Sequence, residues 1–202
     1  MNGNKMKKFW IILTGFVLTT SILIGLFFLI SLSIVEKRTL QDTGLDSGWT
    51  TFKSEMGRFV MDTPKSWIAT DNLHDDHNEE IIAGIFYYFP DVHIAKLNEV
   101  EQVEDAAAWA TARAMSFLDF HFISNEPYVT PQGHQGQLIE YLRDGSNMSG
   151  EYMMHCLDWC LVSNQTGYVF SFCTEVRQWP EDDTDNEVEK AFMRMIDSIE
   201  FY

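Results

Sequence analysis

The segment His74-Asp75-Asp76-His77-Asn78-Glu79-Glu80 places two imidazoles and four carboxylates within seven residues. Imidazole nitrogen and carboxylate oxygen are ligands for zinc and similar divalent cations. His74, Asp76, His77 and Glu80 therefore form a candidate ligand set if the segment turns back on itself. A site there would make the chain a hydrolase or another metal-dependent enzyme. A complete site, however, needs three or four fixed ligands with partners that orient them. Asp71 to Glu80 offers one apolar side chain, Leu73, to fix such a turn. A solvated acidic loop is the reading the composition favours, so no metal ligand is assigned and no cofactor is expected. The run Glu181-Asp182-Asp183-Thr184-Asp185 lacks the spacing and the glycine of a calcium-binding loop. Acids at a helix start have a structural reason already.

Sulfur chemistry is the second candidate. Cys156 and Cys160 lie in a segment that reads as a strand, where four residues extend about 13 Å, too far for a shared zinc with bonds of about 2.3 Å. Strand parity puts Met153, His155, Leu157, Trp159 and Leu161 on one face. Tyr168, Phe170 and Phe172 form the matching face of the next strand, so all three cysteines share the opposite face. A two-residue loop between the strands sets Cys156 opposite Cys173. A four-residue loop ending at Gly167 sets Cys173 opposite Asp158, and Gly167 suits this option because a loop's last residue often needs positive φ. A disulfide is compatible with an oxidising compartment but is not demanded.

Familiar catalytic motifs are absent. There is no Gly-x-Ser-x-Gly elbow, phosphate loop, dinucleotide fingerprint or His-Glu-x-x-His. His93, His121, His134 and His155 are scattered, and His155 falls on the expected core face. No catalytic residue is assigned.

Location is better determined than chemistry. Phe9 to Val35 runs for 27 residues without a charge, after Lys5, Lys7 and Lys8 and before Glu36, Lys37 and Arg38. As a helix it would reach about 40 Å, and a bilayer core needs only about 20 apolar residues. A cleaved signal, with Ser31-Leu32-Ser33 near the cut, is the competing reading, but its apolar region is normally about 7–15 residues. No cysteine lies in or just after the run, which excludes a lipoprotein anchor. The basic residues favour an N-terminus inside. The chain thus reads as a short cytoplasmic tail (1–8), a transmembrane signal anchor (9–35), a tether (36–48) and a globular domain (49–202) outside the cell membrane.

Residues 1–38 carry +4 of a total of −16, leaving −20 on the remainder. Such a domain is repelled by phosphate backbones, so nucleic acid is excluded as a partner. The field favours cations, basic proteins or solubility alone. The partners expected are the bilayer, through residues 9–35, and a protein.

The elements that must position these groups follow from pattern. Thr50–Lys53 and Arg58–Asp62 read as a hairpin across Ser54–Gly57, Ile81–Phe89 as a buried strand, and Val92–Leu97 as its return. Ala107, Ala110, Ala114, Phe117 and Leu118 recur at helical spacing after an acidic start. Strands are expected at Phe120–Val129, Gln135–Arg143, Glu151–Val162 and Tyr168–Glu175. A last helix begins near Thr184, where Thr184 and Glu187 match a capping box, with a stripe of Val188, Ala191, Phe192, Met195 and Ile199.

Three of these stretches carry a resemblance. Phe59-Val60-x-x-x-Pro64-x-x-Trp67, the aromatic strand Tyr168-Val169-Phe170-Ser171-Phe172, and Ala191-Phe192-x-x-Met195-Ile196-x-Ser198-Ile199-x-Phe201 resemble PsbP-like domains. The resemblance covers most of 49–202. It implies an α+β fold, an antiparallel sheet with helices on both faces, here behind one transmembrane helix. It implies no active site, and membrane-anchored relatives are the closer analogy. The function expected is a membrane-tethered extracytoplasmic interaction or assembly module. The alternative is a metal-dependent or other hydrolase using the His74–Glu80 loop.

Overall fold

The computed structural model describes residues 43–71, 81–86, 90–147, 150–179 and 186–202. The apolar run 9–35 and the His74–Glu80 segment lie outside them. Among the described residues no helix is long and apolar enough to cross a membrane. The elements below all belong to the unit Asp42–Tyr202.

The first hairpin forms as its alternation predicts. Strand β1 (Trp49–Ser54) pairs antiparallel with β2 (Phe59–Pro64). The turn between them is tied by the Gly57 amide, which donates to Ser54 Oγ at 2.8 Å. The short C-terminal strand β10 (Glu200–Phe201) adds to the other side of β2, completing a three-stranded sheet. Residues 43–48, expected to end the tether, are folded onto this unit. Trp67 Nε1 donates to the Thr43 carbonyl at 2.8 Å, and Leu45–Ser47 forms a 3-10 turn.

The larger sheet has seven strands. These are β3 (Ile68–Asp71), β4 (Ile81–Phe86), β5 (Asp91–Asn98), β6 (His121–Val129), β7 (Gln135–Asn147), β8 (Gly150–Ser163) and β9 (Thr166–Glu175). Their order is β3-β4-β5-β9-β8-β7-β6, with every pairing antiparallel. The architecture therefore departs from the single sheet expected. One face of the large sheet carries helix α1 (Val103–Ala114), and the other carries both the small sheet and helix α2 (Glu187–Asp197).

The β8–β9 hairpin fixes which side chains meet which helix. Its loop has two residues, Asn164 and Gln165, both left-handed at φ 51° and 61°. That is the conformation whose twist matches the flanking strands. The register that results pairs Cys156 with Cys173, and a disulfide joins them. Gly167, expected to close a four-residue loop, sits inside β9 instead. Its missing Cβ matters for packing, since one built there would come within 3.1 Å of the Val100 Cβ.

Leu157, Trp159, Phe170 and Phe172 all face α2 and the small sheet. Phe172 packs on Phe192 of α2 with ring centroids 4.9 Å apart, and Phe170 meets Phe59 edge-on at 5.2 Å. Burying each such ring contributes about 1.5–3 kcal/mol over leaving it in water. On the opposite face Ala106, Ala107, Ala110 and Ala114 let α1 lie close against the sheet. Phe117 and Leu118, expected to continue that helix, follow it, and Leu118 is exposed. The cap of α2 is Asn186, not Thr184. Its Oδ1 accepts from the amides of Val188 and Glu189 at 2.7 and 3.3 Å, satisfying donors that a helix start leaves open.

Candidate functional site

His74, Asp76, His77 and Glu80 lie outside the described residues. Among the described residues no three His, Cys, Asp or Glu side chains converge to hold a metal. The remaining histidines have structural partners or open surroundings. His155 is buried, stacked on Trp179 with centroids 4.2 Å apart. Its Nδ1 lies 2.8 Å from the Trp179 carbonyl and its Nε2 2.6 Å from Glu140. That hydrogen bond holds the Glu140 carboxyl below its usual value. His93 Nε2 lies 3.3 Å from Asp91 Oδ2, His134 packs edge-on to Phe201, and His121 is exposed.

Beneath α1 the sheet buries a polar row. The Tyr141 hydroxyl donates to both oxygens of Asp158, 3.3 Å from each. Arg113 reaches down from α1 to donate to Ser171 Oγ at 3.3 Å. Burial pushes the Asp158 carboxyl up to about 6, against the opposing pull of Ser171 and Arg113. Burial also raises the Cys160 thiol well above its ordinary range, with the Asp158 charge adding to the effect. A thiol kept protonated and enclosed is a poor nucleophile. This row supports packing.

Two surface features remain. The first is a cavity of about 280 Å³ lined by Asp91 on β5, Phe117 after α1, Arg143, Asp144 and Gly145 on β7, and Tyr152 and Met154 on β8. Arg143 holds the centre. Its guanidinium sits 4.1 Å over the Phe117 ring and donates to the Asp144 carbonyl at 3.0 Å. Its Nη2 lies 3.8 Å from Cys173 Sγ, so the cavity adjoins the disulfide. Two buried polar atoms here, Asp91 Oδ1 and Arg143 Nε, have no hydrogen-bond partner. Sequence reasoning missed the cavity. Its one signal was Arg143-Asp144, two successive charges where a half-buried strand would alternate.

The second is an open groove of about 540 Å³ between α1 and the outer strands. Glu104, Ala108, Thr111 and Met115 line it on the helix side, Asn125 and Gln137 on the sheet side. Met115, which lines it just past the end of α1, is 64% exposed, and Leu118 and Phe122, which follow in the chain, are exposed at 77% and 56%. Glu101, Glu104 and Asp105 are exposed at its other end, near the start of α1.

No family model matches the chain, and no curated protein is similar to it. Solved structures are similar. The solution structure of cyanobacterial PsbP (CyanoP) from Synechocystis sp. PCC 6803 matches with a TM-score of 0.57 at 13% identity, over 77% of this chain and 94% of that one. The Saccharomyces cerevisiae Ran-binding protein Mog1p matches at 0.51 and 11% identity, over 77% and 96%. At these identities the likeness is one of fold, and the fold is PsbP-like.

Proposed function

We propose that this PsbP-like domain is a membrane-tethered interaction module that works outside the cytoplasm and performs no catalysis of its own. The observation that carries the reading is the groove beside α1. Met115 lines it in solvent, and Leu118 and Phe122, within the next seven residues, are also exposed; exposed apolar surface of this kind marks interaction sites. The acidic start of α1 at the other end, within a domain of net charge −20 beyond residue 38, selects the partner's chemistry. That partner is a protein segment with an apolar anchor and basic residues beside it. A protein of the same fold, Mog1p, is titled a Ran-binding protein, so the fold is compatible with protein recognition.

The compartment is part of the proposal. Residues 9–35 hold the chain in the membrane with residues 1–8 inside and the domain outside. The Cys156–Cys173 disulfide supports that orientation, because such bonds persist in oxidising compartments.

The test places a photo-cross-linking residue at Met115, Phe122 or Ile68 of the full chain in native membranes. Ile68 is equally open, at 72%, but sits on β3 at the far edge of the sheet. One discrete adduct at Met115 and Phe122, absent at Ile68 and lost with Glu104→Lys, supports the module. Equal labelling at all three positions, or none, removes it. Digestion of the domain by protease added to intact spheroplasts supports the orientation, and full protection overturns it.

A further inference from the structure

Helix α1 covers only part of its side of the large sheet. It packs on β8, with β7 and β9 at its flanks, and Ile139 and Tyr141 of β7 belong to the core beneath it. The register sets Phe122 opposite Tyr141, Asn125 opposite Ile139 and Val129 opposite Gln135. Residues directly opposite one another share a face, so these three side chains of β6 stand on the side that α1 occupies. All three are exposed, Val129 at 57%. Strand β6 lies two strands from β8, about 10 Å across the sheet. Packed helices sit about 8–10 Å apart. A second helix laid over β6 would therefore be in contact with α1.

We propose that the groove beside α1 receives an amphipathic α-helix of a partner protein, lying over β6 and antiparallel to α1. This rests on the reading of the groove as the docking site and names the form of what docks there. The helix side of the groove presents Ala108, Ala112 and Met115, none of which can pair with main-chain groups. A segment buried against them must satisfy its own amides and carbonyls, and a helix does so within itself. Ala108 and Ala112 are exposed, one turn apart, and their small side chains let a second helix axis come close. Charge sets the direction. Glu104 lines the groove, and none of the described residues lining it is basic. Arg113 of α1 is turned away, toward Ser171 on the sheet. The incoming helix therefore carries Lys or Arg beside Glu104. Cations are favoured in the last turn of a helix, so its C-terminal end lies by Glu104 and its first turn by Met115.

Photo-cross-linking residues at Ala108 and at Met115 of the full chain, in native membranes, test this when the attachment sites on the partner are located by peptide mass mapping. The two positions are seven residues apart on the chain, a rise of about 10 Å. That distance spans about seven residues of a partner helix but only about three of an extended segment. The expected result is one partner whose two attachment sites lie about seven residues apart. The Met115 site should be nearer its N-terminus, with Lys or Arg in the turn beyond the Ala108 site. Ala112→Phe changes an exposed position of α1 and should cut the Met115 adduct about tenfold with the melting midpoint unchanged, because the ring holds the two helices apart. Sites about three residues apart, sites in the opposite order, or an undiminished adduct in Ala112→Phe overturn the antiparallel helix and leave the interaction module standing. No discrete adduct at either position removes both.

Discussion

The Tyr141 hydroxyl donates to both carboxylate oxygens of Asp158 across adjacent strands β7 and β8, in a layer closed by α1. Burial raises the Asp158 pKa from 3.8 to about 6. A raised carboxyl value means that the native state holds this proton more tightly than the unfolded chain does. Its contribution therefore favours folding most at low pH and is lost as pH climbs from 3.8 to about 6, a difference of about 3 kcal/mol. Urea unfolding between pH 4 and 7.5 should show Asp158→Asn gaining stability relative to the parent across that interval. Parallel curves for the two proteins would mean that Asp158 is charged at no cost where it lies.

Phe172→Ala should destabilise the fold by about 3–5 kcal/mol. The ring is fully buried between Leu157 and Phe192, and the bulk around it cannot close the gap. A loss within error of zero in the same unfolding measurement would contradict the packing of α2 on β9.

Alkylation of denatured protein taken directly from cells should find one free thiol per chain, that of Cys160. Reduction should then expose three. The bond closes a loop between residues 17 apart, so removing it by Cys156→Ser with Cys173→Ser should cost about 3 kcal/mol. Three free thiols at the outset would place the domain in a reducing compartment.

His74→Ala combined with His77→Ala should leave the melting midpoint nearly unchanged, with and without added zinc. The acidic composition of residues 71–80 provides little to offset the entropy of ordering a fixed site. Zinc stabilisation of the parent alone would restore the metal-dependent reading.

Much of the fold was legible because strands repeat every two residues and helices every 3.6. The faces of β8 and β9 followed from parity, as did the alanine stripe of α1 from its spacing. Three misses have physical causes. The strand β3 is only four residues long, with Ile68 in solvent, so it carries no apolar alternation. Gly167 pointed to a longer loop because a glycine needed for close approach looks, in sequence, like one needed for positive φ. The capping signal at Thr184 and Glu187 was genuine in type but displaced, since Asn186 takes the role. The cavity lay beyond reach for a different reason. Asp91 and Arg143 belong to strands separated in the sheet by β9 and β8, and only that order brings them to one site.

Pro127 sits within β6, opposite Gln137, on the last strand of the large sheet. Its nitrogen carries no hydrogen, so the outward rim of this strand lacks a donor midway along its length. An incoming chain cannot zip along the whole rim by main-chain pairing, which would accept almost any sequence. A partner docking beside α1, as proposed, would be read by its side chains, and the same interruption hinders copies of the chain from annealing along this edge.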